Sequence, residues 1–148
     1  MKTAIVYYSR HHGNTKQLVD ALAGAFGGID LIDAAAAEDA SLGSYDRIGF
    51  ASGIYYSKFH KSVLRLAEAC LPAGKPVFFL YTCGTKNQSY TNAISRIARA
   101  KNAEILGEYG CLGFDTFGPF RLVGGISKGH PSPEDVAGAV RFYQSISE

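Results

Sequence analysis

Hydrophobic and polar positions fall into two textures along this chain: short unbroken apolar runs, and longer stretches with apolar residues on one helical face. Thr3–Tyr8 is an unbroken run of strand length, the pattern of a strand buried on both faces. Leu18, Leu22, Ala25 and Phe26 then recur at helical spacing within Gly13–Phe26, and Gly27-Gly28 ends the stripe. Ile29–Asp33 predicts a second strand, followed by a connection from Ala34 to Ser44 with no helical stripe. Tyr45–Ser52 predicts a third strand, broken by Gly53. His60–Leu71 places Val63, Leu64, Ala67, Cys70 and Leu71 on one helical face, stopped by Pro72 and Gly74. Val77–Thr82 is the most apolar run and is expected to be the central strand. A helix over Tyr90–Ala100 turns Ile94, Ile97 and Ala98 inward, and Ala103–Leu112 is a fifth strand. The last helix opens on Ser132 as N-cap, with Pro133 at its first position and Asp135 three residues after the cap. Val136, Ala139, Val140 and Tyr143 form its buried face.

Strands that alternate with helices imply a parallel sheet covered on both sides, a three-layer doubly wound α/β fold. The helix expected between strands two and three is missing from the pattern. With 148 residues, the chain reads as a single domain, long enough to bury roughly 70% of its unfolded surface. Apolar residues make up 47% and charged residues 19%, which excludes a disordered chain. Fifteen lysines and arginines against thirteen acids leave +2, with no long basic run, which argues against non-specific nucleic-acid binding. No apolar stretch reaches the ~20 residues of a membrane span, and Ser9-Arg10-His11-His12 cuts short any signal-peptide reading. Cys70, Cys83 and Cys111 are odd in number and far apart, so neither a disulfide framework nor a zinc site is expected, and the cytoplasm is the expected location.

In an open parallel sheet, ligands bind beyond the carboxyl ends of the strands, where strand order reverses. The loops after strands one, three and four are therefore the candidates. The first runs Ser9-Arg10-His11-His12-Gly13-Asn14-Thr15. A turn of this kind at a helix start presents backbone N–H groups and a positive partial charge to an anion such as phosphate. Ser9 and Thr15 can add hydroxyl donors and Asn14 an amide; the plainer reading is that Ser9 or Asn14 only caps the helix. Neither Gly-x-x-x-x-Gly-Lys-Ser/Thr nor Gly-x-Gly-x-x-Gly occurs here.

Ser9-x-x-x-Gly13-Asn14-Thr15 after an Ile-Val-Tyr-Tyr strand resembles the phosphate loop of the flavodoxin family, usually Thr/Ser-x-Thr-Gly-x-Thr. Arg10, His11 and His12 depart from it, standing where the family often has small hydroxyl residues. The resemblance implies a five-stranded parallel sheet in order 2-1-3-4-5, with FMN at the switch point between strands one and three. It also implies that Ser52-Gly53-Ile54-Tyr55-Tyr56 touches the isoalloxazine ring: glycine lets the backbone approach, and Ile54, Tyr55 or Tyr56 covers a face. The loop Thr82-Cys83-Gly84-Thr85 would offer backbone N–H groups to the flavin, with Tyr90 as the covering aromatic. Cys83 is read as a small packed residue, not a nucleophile. The long segment Gly113–Pro131, with Phe117 and Phe120, either walls a pocket or caps the sheet end. His60 and His130 are read as surface or capping residues.

Three functions are carried forward. One is FMN-dependent electron transfer to a protein acceptor. The second is FMN-dependent oxidation or reduction of a small molecule such as a quinone. The third is a binding domain that has lost FMN. Charge bears on the choice. Family members that dock redox partners are generally acidic, whereas here no acid lies between residues 9 and 19 or 47 and 67, and Arg10, His11, His12, Lys16, Lys58, His60, Lys61 and Lys86 gather on the three loops. Such a field favours a phosphate dianion and a reduced flavin.

Overall fold

The computed structural model describes residues 1–10, 13–114 and 125–148. Its elements run β1 (Thr3–Tyr8), α1 (Asn14–Ala25), β2 (Ile29–Asp33), β3 (Arg47–Tyr55), β4 (Lys58–Phe59), α2 (Lys61–Cys70), β5 (Pro76–Cys83), α3 (Asn92–Ala100), β6 (Glu104–Leu112) and α4 (Pro133–Ile146). Five strands pair in parallel in the order β2-β1-β3-β5-β6, and β4 adds a short antiparallel pairing to β3. Apart from that hairpin strand, this is the doubly wound order expected from the sequence.

Side-chain alternation explains why the strands read as unbroken apolar runs. Ala4 and Val6 of β1, Ile48 and Phe50 of β3, and Val77 and Phe79 of β5 face one helical layer. Ile5 and Tyr7, Ala51, and Phe78 and Leu80 face the other. Helices α2 and α3 pack together, as do α1 and α4, so each face carries a helix pair. Two glycines leave room for rings on the paired strand. A Cβ on Gly49 would meet the Phe78 ring, and one on Gly110 would meet the ring of Tyr81.

Two expectations are corrected. The Val77–Thr82 run is not the central strand; β3 is, with β5 beyond it. An unbroken apolar run reports burial on both faces, which every interior strand of the sheet shares. Nor does Gly53 end the third strand. β3 continues through it to Tyr55 and folds back into β4, pairing Ile54 with Phe59 and Tyr55 with Lys58. The two turn residues, Tyr56 (φ 51°) and Ser57 (φ 65°), both have positive φ, as the two-residue hairpin turn matching strand twist requires.

At the opposite end of the sheet from the candidate loops, Arg47 opens β3 and is buried, 4% exposed. Its guanidinium donates to Thr3 Oγ1 (3.2 Å), the Ile146 carbonyl (3.0 Å) and Ser147 Oγ (2.6 Å), and lies 4.5 Å from the Tyr143 ring centre. The arginine thus ties the sheet to the carboxyl end of α4, where a cation also meets the negative end of the helix dipole. The start of α4 is the capping box read from sequence: Ser132 Oγ accepts the Asp135 N–H (3.1 Å), and the Asp135 carboxylate accepts the Ser132 N–H (2.8 Å). No described helix is long and apolar enough to cross a membrane.

Candidate functional site

The carboxyl ends of β1, β3 and β5 meet around one cleft, beside the β1/β3 junction where strand order reverses. From the first loop and α1 it is lined by Arg10, Asn14 and Thr15; from β3 by Gly53, Ile54 and Tyr55. From the end of β5 come Thr82, Cys83 and Gly84, and from beyond β6 come Gly113 and Phe114.

At the head of α1 the N-cap residue gives the Asn14 and Thr15 amides no side-chain acceptor. That residue is Gly13, in the left-handed region at φ 66°, a conformation that costs glycine little. Glycine offers no capping side chain, and the first turn holds no acid. Ser9 is not the N-cap; its Oγ instead accepts the Lys16 N–H (3.0 Å), which clips the loop onto the first turn of the helix. Asn14 donates its amide to the Phe114 carbonyl (2.7 Å), so its side chain pins the chain after β6 rather than capping α1. A Cβ on Gly113 would come within 2.7 Å of that same amide, so the glycine keeps the approach open.

Thr15 is 1% exposed and Thr82 is 3% exposed, and their hydroxyls are 2.9 Å apart. One hydroxyl hydrogen makes that bond. The other remains to donate, and both residues line the cleft.

The remaining expected residues serve as supports. Ser52 is buried; its Oγ accepts the His60 N–H (3.0 Å) and donates to the Gly53 carbonyl, fixing the base of the β3–β4 hairpin. Tyr90 is buried too. Its hydroxyl donates to the Thr85 carbonyl (2.7 Å) and its ring meets Tyr81 edge-on, so it braces the loop from beneath and does not reach the cleft. Thr85 itself is exposed. Tyr56 is 84% exposed and is not among the residues that line the cleft. His11, His12, Phe117 and Phe120 lie outside the described residues. Cys83 is buried, its thiol directed at the Cys111 carbonyl (3.5 Å), and burial pushes the neighbouring Cys111 thiol up to about 12, which keeps it protonated.

Sequence reasoning held Gly113 and Phe114 only as part of the long segment that either walls a pocket or caps the sheet end, and singled out Phe117 and Phe120 there; Gly113 and Phe114 line the cleft. It missed an aromatic wall. The His60 ring stacks on Tyr8 with centres 3.6 Å apart and planes 4° from parallel, and Tyr55 meets both edge-on. Arg10 lies 5.4 Å from the centre of the Tyr8 ring.

His60 is also the N-cap of α2, its Nδ1 accepting the Ser62 N–H (3.1 Å). Its pKa is lowered, first by burial and then by the charges of Lys61 and Arg10. Folding therefore favours neutral His60. Its contribution is complete above the unfolded value near ~6.5 and is lost as pH falls through the lower folded value, because protonated Nδ1 can no longer accept. The urea midpoint should accordingly fall from pH 7.5 to pH 5.5. His60→Asn, which keeps a capping acceptor but does not titrate, should show a smaller fall. Equal falls in both proteins would assign the pH dependence elsewhere.

Comparison with known proteins places this geometry. Residues 5–108 match the family described as Flavodoxin domain. An uncharacterized protein of Methanocaldococcus jannaschii is 34% identical over 99% of this chain and 98% of its own. Among solved structures, a flavodoxin from the domain Archaea superposes with a TM-score of 0.65 at 15% identity, over 99% of both chains. A flavoprotein in complex with FMN from Lactobacillus acidophilus superposes with a TM-score of 0.55 at 17% identity, over 74% of this chain and 92% of that one.

Proposed function

The chain belongs to the flavodoxin family, and from that premise we propose that it binds FMN in the cleft at the β1/β3 switch point and passes electrons to a protein acceptor. The observation that carries this reading is the glycine-capped head of α1 beside the buried Thr15–Thr82 hydroxyl pair. The donor chemistry fits a phosphate at one end: the Asn14 and Thr15 amides of a glycine-capped helix start, no acid in the first turn and a hydroxyl hydrogen left to donate. It fits a flat ring at the other. Gly53 and Gly84 leave backbone open to approach, and Ile54, Tyr55 and Phe114 supply apolar and aromatic surface. FMN, when bound, supplies the redox chemistry.

The protein's part is position and field. Asn14 holds Phe114 at the cleft, Tyr90 holds the Thr85 turn, and Ser52 holds the hairpin carrying Ile54 and Tyr55. Lys16 is partly neutralised by its 2.9 Å ion pair with Asp20, but Arg10 lines the cleft, and Lys58 and Lys61 stand behind Tyr55. This field favours the more negative, reduced state of a bound flavin. The reduction potential should therefore be less negative than in acidic members of the family. A potentiometric titration yielding a potential as low as theirs would contradict this. The absorbance spectrum of the protein as isolated tests the reading itself: a flavin spectrum is expected, and a colourless protein that takes up no added FMN would leave a binding domain without cofactor.

A further inference from the structure

The β3–β4 hairpin is an unlikely place for a tyrosine. Its two-residue turn needs positive φ at both central positions, which Asn-Gly or Gly-Gly provides most easily. Here Tyr56 and Ser57 occupy them, at φ 51° and 65°. A bulky residue held in the left-handed region costs roughly 1–2 kcal/mol against its ordinary conformation. What the sequence keeps in exchange is an aromatic ring that is 84% exposed, two residues after Ile54 and one after Tyr55, which both line the cleft. Backbone outliers of this kind collect where function requires them.

The surroundings of Tyr56 are basic. Lys58 follows it on β4, and Lys61 opens α2; both border the same hollow as Tyr56, Tyr55 and Tyr8. Arg65 lies one turn further along α2, its guanidinium fixed by the Glu38 and Ala37 carbonyls (2.9 and 3.2 Å). No acid occurs from Arg47 to Ala67, and Glu68, the first carboxylate on that helix, borders a neighbouring hollow with Lys58, Lys61 and Arg65, three cations to one acid. Exposed tyrosine ringed by lysine and arginine is the composition of an interface centre, and its charge selects the partner. The patch repels a second copy of itself.

We propose that the hairpin tip, with Tyr56 as anchor and Lys58 and Lys61 as steering charges, docks an acidic electron-carrier protein beside the cleft. The proposal rests on the FMN reading for its purpose, but the surface can be tested without the flavin. The probe is an oxidised plant-type [2Fe–2S] ferredoxin, a small acidic protein, with cytochrome c as the basic counterpart, each titrated calorimetrically into the full chain. Ferredoxin should bind at about 20 mM salt and weaken at least about fivefold at about 200 mM, as exposed charges are screened; cytochrome c should not bind. Lys58→Glu with Lys61→Glu should weaken ferredoxin about tenfold or more. Tyr56→Asn with Ser57→Gly installs the favoured turn residues. It should melt no lower than the parent yet bind ferredoxin about tenfold more weakly, the loss of one anchoring ring. Equal binding of the two probes, or unchanged ferredoxin affinity in both variants, would overturn the proposal. An FMN titration of the same sample separates the claims. Selective ferredoxin binding without FMN binding removes the FMN reading alone, and FMN binding without selectivity removes the docking surface alone.

Discussion

Replacing Arg47 with Met should destabilise the protein by about 3 kcal/mol. The estimate follows from what the guanidinium leaves behind. Met fills much of the same space, so the loss is mainly polar. The Ile146 carbonyl and Ser147 Oγ lose their donors at the carboxyl end of α4, and Thr3 Oγ1 keeps only the Tyr143 hydroxyl at 2.9 Å. The Ile146 carbonyl left unpaired costs roughly 1–3 kcal/mol, Ser147 Oγ keeps its bond to the Tyr143 carbonyl, and the buried bond to Thr3 and the contact over the Tyr143 ring are lost as well. For a chain of this size the melting temperature should fall by roughly 6–12 °C. Arg47→Lys keeps the charge but not the three-pronged geometry, and should recover only part of that loss. Thermal unfolding of the three proteins checks this. A Met variant as stable as the parent would mean that α4 is held by its apolar face alone.

The second large effect is on ligand affinity. Thr15→Val removes the hydroxyl carried by the first turn of α1, where the phosphate is placed, and leaves Thr82 at the end of β5 without its partner oxygen. A hydrogen bond to a charged phosphate contributes about 1.5–3 kcal/mol, so the FMN dissociation constant should rise roughly 10- to 100-fold. Thr15→Ser, which retains the hydroxyl, should bind close to the parent. Val and Ser variants that both match the parent would put the phosphate elsewhere. Asn14→Ala tests a different role: with its amide engaged by the Phe114 carbonyl, its loss should loosen the ring end of the cleft rather than the phosphate end.

Much of the fold could be read from periodicity, because burial on two faces or one stripe leaves a local signature. The five parallel strands, the four helices, the missing helix after β2 and the α4 capping box are all signals contained within a few neighbouring residues. What escaped depends on distant partners or on unfavoured turn chemistry. The β3–β4 hairpin was hidden because Gly53 reads as a breaker, and Tyr56-Ser57 is not a sequence that announces such a turn. Arg47 looked like a polar strand start; the groups it binds lie 44 to 100 residues away. The site was legible to the level of the loop. Loop position follows from topology, so Asn14, Thr15, Gly53 and Thr82 could be assigned to the loops that line the candidate cleft. Side-chain direction does not, so Tyr90, expected over the cleft, is bonded to the Thr85 carbonyl and does not line it, and the bond from the Lys16 N–H to Ser9 Oγ was not foreseen. Gly113 and Phe114 are held at the cleft by long-range bonds, from Asn14 to the Phe114 carbonyl, from the Gly113 N–H to the Cys83 carbonyl and from the Phe114 N–H to the His130 carbonyl.

The central claim is that the switch-point cleft is an FMN site, and fluorescence titration tests it most directly. FMN added to flavin-free protein should lose its fluorescence with one-to-one stoichiometry, and saturating FMN should raise the melting temperature by mass action. Unquenched FMN together with an unchanged melting temperature would contradict the account.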